Sequence, residues 1–321
     1  MKAIVVSEFG DASVLKYQES AQPEPGEGQV RIKMAAAGVN PVETYIRSGQ
    51  YAALPALPYT PGNDGAGVVD KVGQGIQNLA AGQRVLVAAA LARHNTGTYA
   101  EYTVCDAQAV WPLPAQVSFS QGAGIGTPGL AASYALFSKA KIIPGETVLI
   151  HGATGGVGTL ALQLARKAGA VVYATAGTAE SESTVLKLGA HKVFNHRSEG
   201  YLDEIKKSGN PDVIIEMLAN VNLVKDLDLL ARYGRIVVVG NRGSLDFSPR
   251  DVMAKDAAIH GMVIGNMKPE DFRANMFLLT AALESGLNVL VDQEFPLQEA
   301  ALAHKNVMDG QKTGKIILSI A

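Results

Sequence analysis

Two rhythms of apolar and polar residues divide the chain. Up to about Pro114 the apolar positions fall in short runs broken by Gly and Pro, at residues 3–7, 29–35, 67–72, 84–87 and 99–104. Runs of this length and composition predict strands. The breaks carry turn chemistry in Pro23-Glu24-Pro25-Gly26 and Pro61-Gly62-Asn63-Asp64-Gly65, where proline presets φ and glycine supplies positive φ. A partly open barrel is the natural closure for such strands. From about Gly145 compact apolar strands alternate with amphipathic helices: 147–151 then 157–168, 171–175 then 179–188, 192–195 then 200–207, 212–216 then 222–231, followed by strands at 235–240 and near 257–263. That alternation predicts parallel strands with right-handed crossovers and helices on both faces, a doubly wound α/β domain. After Met267 come a helical run at 269–285, an extended piece at 293–297, a short helix and a last strand at 314–320, which return the chain to the first domain.

Composition narrows the class. With 321 residues, 47% apolar, 18% charged and 34 glycines, the chain fits a two-domain globular protein, neither disordered nor a coiled coil. Its longest apolar run, residues 85–92, is far shorter than the roughly 20 residues that cross a bilayer, and the N-terminus lacks a signal-peptide pattern, so a cytoplasmic protein is expected. A net charge of −2 and a pI of about 6.3 give no general drive toward nucleic acid or anionic lipid. The lone Cys105 excludes an internal disulfide and a four-cysteine zinc cluster, and no H-E-x-x-H or paired C-x-x-C replaces them; no metal is expected. Cys105 lies beside a strand run and reads as a small buried hydrophobe.

The most informative segment runs from Val148-Leu149-Ile150-His151 through Gly152-Ala153-Thr154-Gly155-Gly156-Val157-Gly158 into an apolar helix. In the G-x-G-x-x-G template Ala153, Gly155 and Gly158 take the three small positions. A diphosphate must approach the backbone N–H groups at a helix N-terminus, which requires little side chain at Gly155 and Gly156; Gly158 lets helix and strand pack closely. A ligand-free tight turn is the bland alternative. Cofactor choice turns on the next strand end, where NAD proteins carry an acid for the ribose hydroxyls. The stretch Thr175-Ala176-Gly177-Thr178 has none, and His196 and Arg197 follow the third strand, which favours NADPH; Glu180 and Glu182 nearby would oppose a dianion. Asn220, Asn222, Gly240, Asn241 and Arg242 stand at the ends of later strands, where ligands of open α/β sheets bind, and Asn222 is also placed to cap a helix. His151 reads as a hydrogen-bonded neighbour of the turn, His94 as solvated loop, and Lys139 and Lys141 as a solvated face.

Nearly the whole chain resembles the zeta-crystallin type of NADPH:quinone reductase, in the zinc-free branch of the medium-chain dehydrogenase/reductase superfamily. The likeness rests on Gly38-Val39-Asn40-Pro41-Val42-Glu43-Thr44-Tyr45-Ile46-Arg47-Ser48-Gly49, Leu57-Pro58-Tyr59-Thr60-Pro61-Gly62, the glycine turn, Phe194-Asn195-His196-Arg197, Ile215-Glu216-Met217-Leu218-Ala219-Asn220-Val221-Asn222 and Val238-Val239-Gly240. It implies a GroES-like β-barrel domain (residues 1–122 and 266–321) and a Rossmann NADPH-binding domain (residues 123–265), an active cleft between them, and homodimers or homotetramers built through the cofactor domain. It also implies cofactor contacts at Tyr45, Thr154, Gly155, Gly156, Val157, Gly177, His196, Asn222, Val239, Gly240, Asn241 and Arg242. Where zinc-using members have Gly-His-Glu, this chain has Gly62-Asn63-Asp64. Ala131 stands where relatives carry a threonine beside the nicotinamide carboxamide, and Gly265 where they carry a large apolar residue, so substrate preference need not transfer.

A quinone is already electrophilic, so its reduction needs chiefly a well-placed nicotinamide and neutral donors toward the developing oxyanion. The candidates are Asn40, Tyr45, Tyr51 and Tyr59: Tyr45 and Tyr51 as pocket lining, Asn40 as an orienting group, Tyr59 equally readable as a packed ring whose hydroxyl bonds to backbone. The resemblance favours ortho-quinones reduced by one electron to the semiquinone; residue types leave hydride transfer open. Two other functions remain: an NADPH-dependent reductase of enals or enones such as 2-alkenals, and a non-enzymatic crystallin-like or A/U-rich RNA-binding role, the latter with little support from net charge.

Overall fold

The computed structural model describes residues 1–308 and 313–321. In chain order the strands are β1 (Lys2–Val5), β2 (Lys16–Glu19), β3 (Gln29–Val39), β4 (Asp64–Val72), β5 (Arg84–Ala88), β6 (Tyr102–Asp106), β7 (Val110–Pro112), β8 (Thr147–Ile150), β9 (Val171–Ala176), β10 (Lys192–Asn195), β11 (Val213–Glu216), β12 (Arg235–Val238), β13 (Ala258–Gly261), β14 (Val291–Pro296) and β15 (Lys315–Ser319). The helices are α1 (Pro41–Arg47), α2 (Phe119–Ala123), α3 (Gly126–Ser133), α4 (Gly156–Lys167), α5 (Ala179–Lys187), α6 (Tyr201–Ser208), α7 (Ala219–Leu229), α8 (Pro249–Met253), α9 (Pro269–Glu284) and α10 (Ala300–Asn306). The chain divides into two compact units: Met1–Pro128 with Leu279–Ala321, and Gly129–Leu278.

The first unit is a strand structure organised by β3. Its main sheet has the order β14-β15-β3-β4-β5-β7, with β6 also on β3. On one edge β3 pairs with β6 through Gln29 to Lys33 and with β15 through Ala36 to Val39; on the other it pairs with β4. Serving two partners in tandem requires a long, bent strand, and register shifts at Arg31/Ile32 and Met34/Ala36 supply the bend. The result is the curled, unclosed sheet of a partly open barrel. Its interior is apolar, with Ile32, Val85, Val87, Tyr99 and Cys105 essentially without solvent contact.

The second unit is a parallel sheet of order β10-β9-β8-β11-β12-β13, which by sequence is 3-2-1-4-5-6, the doubly wound Rossmann order. Its strands are short and continuously apolar because helices cover both faces: Val148, Leu149, Ile150, Ile214, Ile215 and Ile236 are buried. The helices are locally specified. Thr178 caps α5 through the Ser181 N–H, and Arg166 and Lys167 stand in the last turn of α4, where the negative end of the helix dipole favours positive charge. Among the described residues no helix is long and apolar enough to cross a membrane.

Three segments differ from the sequence pattern. β2 is exposed at all four positions, so no apolar alternation marks it. α1 is only seven residues long. α3 continues directly into a π-helical turn over Tyr134–Lys139, a Gly- and Ala-rich start with almost no amphipathic signal.

Candidate active site

In the second unit the glycine turn has the predicted geometry. Gly152 takes φ 57°, and Gly155 caps α4 in an extended conformation. A Cβ on Gly158 would meet the Gly152 carbonyl oxygen at 2.2 Å and the Ala153 Cα at 2.6 Å, so helix and turn touch backbone to backbone there. A Cβ on Gly155 would meet nothing closer than 3.5 Å. The two glycines therefore serve different ends: one packing, the other an open approach to the first amides of α4. Gly155, Gly156 and Val157 present those amides, and Thr154 precedes them.

At the end of β9, a Cβ on Gly177 would lie 2.9 Å from His196 Cε1 and 3.1 Å from Arg197 Nε. The Arg197 guanidinium and the His196 ring, one a cation and the other a neutral hydrogen-bonding partner, thus converge where an NAD-selecting acid would stand. Glu182, counted against an anion there, accepts from Asn195 Nδ2 at 2.8 Å, and Asn195 Oδ1 in turn takes the Arg197 N–H. Burial and the neighbouring Arg197 and His151 charges lower the pKa of His196.

The later strand ends are tied together. The Asn220 N–H donates to Asn241 Oδ1 at 3.0 Å, and the Arg242 N–H to Asn220 Oδ1 at 3.0 Å. The Val239 N–H donates to the Glu216 carbonyl, and Gly240 sits so close to Met217 that a Cβ would lie 2.2 Å from its carbonyl oxygen. Asn222 is not a helix cap: α7 begins at Ala219 with Leu218 at the N-cap, and Asn222 Nδ2 donates to Glu216 Oε1 at 3.2 Å. His151 is buried and hydrogen-bonded beside the turn, His94 is exposed with Nδ1 3.3 Å from Asp106, and Lys139 lies over the Tyr134 ring. Ala131 is buried in α3, whereas a Cβ on Gly265 meets only Val263 at 4.0 Å.

In the first unit Asn40 is the hub of a buried polar network. Its Nδ2 donates to Asp64 Oδ2 at 2.8 Å and, more distantly, to Glu43 Oε1; its Oδ1 accepts from Lys315 Nζ at 2.6 Å. Glu43 also accepts from the Asn40 and Asn63 N–H groups and from the Tyr99 hydroxyl, which lies 3.1 Å from His304 Nε2. Asp64 accepts the Thr127 N–H and hydroxyl, each at 2.8 Å. Burial and the Asp64 charge push the Glu43 carboxyl up to about 7, while burial pushes the Lys315 ammonium down. Both Asn40 amide N–H groups are thus engaged, and its amide oxygen is tied to Lys315. Tyr45 and Tyr51 are half-buried with no hydroxyl hydrogen bond among the described residues. Tyr59 pairs its backbone with Val6, but its buried hydroxyl has no partner, and burial, with the Glu43 charge, raises it to about 12. Glu43, Asp64, Lys315, Glu216 and Asp226 carried no assigned role in the sequence; Asp64, Lys315 and Glu216, ionisable residues at the ends of apolar strand runs, offered a usable signal, whereas Glu43 and Asp226 lie on helices and offered none.

A Rossmann sheet with a bare glycine turn, joined in one chain to a curled GroES-like sheet, defines the medium-chain dehydrogenase/reductase class. Residues 26–115 match the alcohol dehydrogenase GroES-like domain and residues 156–281 the zinc-binding dehydrogenase domain. The quinone oxidoreductase of Homo sapiens is 47% identical over 324 residues, covering 99% of this chain and 97% of that protein. Quinone oxidoreductase 1 of Escherichia coli K12 is 31% identical over 96% of both. The crystal structure of the Escherichia coli quinone oxidoreductase complexed with NADPH superposes with a TM-score of 0.89 at 30% identity over all of both chains. The chain belongs to the quinone oxidoreductase family.

Proposed function

We propose that this protein is an NADPH-dependent quinone reductase. The observation that carries the cofactor half is the convergence of His196 and Arg197 over Gly177, with Glu182 drawn off by Asn195. Charge-assisted bonds to a 2′-phosphate there contribute about 1.5–3 kcal/mol each, roughly ten- to hundredfold in affinity over NADH. The diphosphate rests on the amides of Gly155, Gly156 and Val157; Thr154, Asn222 and the Val239, Gly240, Asn241, Arg242 segment line the remainder. When bound, NADPH supplies the reducing equivalents.

The acceptor half rests on full-length likeness to proteins named quinone oxidoreductases. Toward the acceptor we assign ortho-quinones as substrates and Tyr45, Tyr51 and Tyr59 as neutral donors, with Tyr59 the strongest because its hydroxyl is a protonated donor without a partner. Asn40 acts as a positioning residue for α1 through its filled network. We further assign a homodimer or homotetramer assembled through the Rossmann unit, whose edge strand β13 has a strand neighbour on one side only among the described residues.

Fluorescence titration with NADPH and NADH, followed by turnover with phenanthrenequinone and with 2-alkenals, tests the reading. Tighter NADPH binding and quinone turnover are expected. Preference for NADH would overturn the cofactor assignment, and faster alkenal reduction the acceptor.

A further inference from the structure

Three ionisable side chains lie together at the carboxyl end of the Rossmann sheet, and the nucleotide contacts proposed above use none of them. His151 directly follows β8, Glu216 ends β11, and Asp226 lies on α7 one turn after Asn222, on the same helix face. All three are buried, with ligand atoms within 4.8 Å of one another. His151 Nε2 is 2.8 Å from Asp226 Oδ1 and 3.7 Å from Glu216 Oε2. Glu216 Oε1 takes the Leu218 N–H and Asn222 Nδ2. Two atoms of the cluster are left over: Glu216 Oε2 and Asp226 Oδ2 are buried without a hydrogen-bond partner.

Two buried carboxylates facing one imidazolium would leave an uncompensated negative charge and two acceptors without a donor. Neither is stable away from water. A single proton on Glu216, donated in a hydrogen bond to Asp226, cures both faults: the Glu216 carboxyl becomes a donor, Asp226 its acceptor, and the cluster becomes neutral. Burial pushes the Glu216 carboxyl up to about 7, with the Asp226 charge adding to it after an opposing pull from His151. For His151 burial disfavours the charged ring, but the Asp226 and Glu216 charges outweigh it and raise its pKa. The other titratable groups facing the cluster are Lys225 on α7, Tyr201 on α6 and His196 after β10, and none bonds to the orphaned oxygens.

We propose that Glu216 and Asp226 share one proton beside a protonated His151, and that this three-residue lock is a positioning element holding Asn222 and the entrance to the glycine turn in register for the nucleotide. Only the nucleotide role rests on the NADPH reading; the shared proton does not. The lock joins β8, β11 and α7, so opening it releases Asn222 through Glu216 and the start of the turn through His151.

The test compares the unaltered protein with Glu216→Gln and Glu216→Ala. In Glu216→Gln the amide N–H takes the place of the shared proton toward Asp226, while Oε1 still accepts from Leu218 and Asn222. Infrared difference spectra of the nucleotide-free protein at about pH 6 and about pH 9 should show protonated-carboxyl stretches at the lower pH that are lost at the higher; Glu43 contributes one of them, so the lock is read as the component that disappears in Glu216→Gln and persists in Glu43→Gln. In NADPH titrations the unaltered protein should lose affinity relative to Glu216→Gln by up to about tenfold per pH unit above the transition. Glu216→Ala should bind weakly at both pH values. Absence of a Glu216-dependent stretch, a stoichiometric divalent metal found by elemental analysis, or Glu216→Gln as weak as Glu216→Ala would overturn the lock. A protein that shows the stretch but binds no NADPH would refute the NADPH reading and the nucleotide role together, leaving the shared proton established.

Discussion

Two glycines three residues apart in one turn should fail in opposite ways when each becomes alanine. At Gly155 the backbone is extended, with φ −75° and ψ 172°, and a new Cβ meets only the Gly152 carbonyl oxygen at 3.5 Å. The free fold accepts it, and the lost chain entropy of glycine stabilises the variant by about 0.4–1 kcal/mol. The same methyl stands over the amides that receive the diphosphate. Loss of one or two charge-assisted bonds, about 1.5–3 kcal/mol each, weakens NADPH by roughly ten- to hundredfold or more. At Gly158 the Cβ would lie 2.2, 2.6 and 2.9 Å from backbone atoms of Gly152 and Ala153, none of which can rotate away. Forcing helix and turn apart costs at least about 1–3 kcal/mol, a fall in melting temperature of roughly 2–12 °C for a unit of this size. Calorimetry of the free proteins with fluorescence titration of NADPH separates the two: Gly155→Ala keeps or slightly raises its melting temperature and loses affinity, and Gly158→Ala loses both. A Gly155→Ala protein that binds NADPH normally would place the diphosphate elsewhere, and a Gly158→Ala protein of unchanged stability would refute the packing argument.

Other substitutions probe the remaining assignments. Gly177→Asp brings a carboxylate to His196 and Arg197 and should cut NADPH affinity at least about tenfold while sparing NADH, as measured by paired titrations. Tyr59→Phe removes a hydroxyl that has no partner, so melting temperature should hold or rise while quinone turnover falls; a fall in stability with unchanged turnover would make Tyr59 merely structural. Glu43 has a carboxyl raised from 4.5 to about 7, so its favourable contribution is full below about pH 4.5 and is lost as pH rises through 7. Denaturant titrations should therefore show the unaltered protein losing up to about 3 kcal/mol relative to Glu43→Gln across that window. Cys105 is fully buried and its thiol is raised to about 12, so a thiol reagent should label it only on unfolding.

The Rossmann half was largely legible in the sequence because each buried parallel strand is a compact apolar run and each helix repeats at 3.6 residues. The glycine turn was legible for the same reason: its chemistry is local, in Gly152 to Gly158. What escaped depends on partners distant in the chain. Asp226 meets His151 across 75 residues and Lys315 meets Asn40 across 275, and no spacing rule connects them. Asn222 was readable as a ligand-side residue, yet its place inside α7 follows from where Glu216 draws its amide. The exposed strand β2 and the short helix α1 carried no periodic signal because neither presents a regular buried stripe. The limits of the compact units fall along the chain inside α3 and α9.

The first unit is stitched from both ends of the polypeptide, with β15 inserted between β14 and β3. During synthesis the ribosome delivers β3 long before β15, so the Ala36 to Val39 segment of β3 waits with an open edge while some 275 intervening residues, the whole second unit among them, emerge. Nascent chains stalled before Leu318 should consequently be sticky, prone to capture by holdase chaperones and to pairing with one another, although the Rossmann unit is already complete. Quality control of this enzyme thus hinges on the arrival of β15.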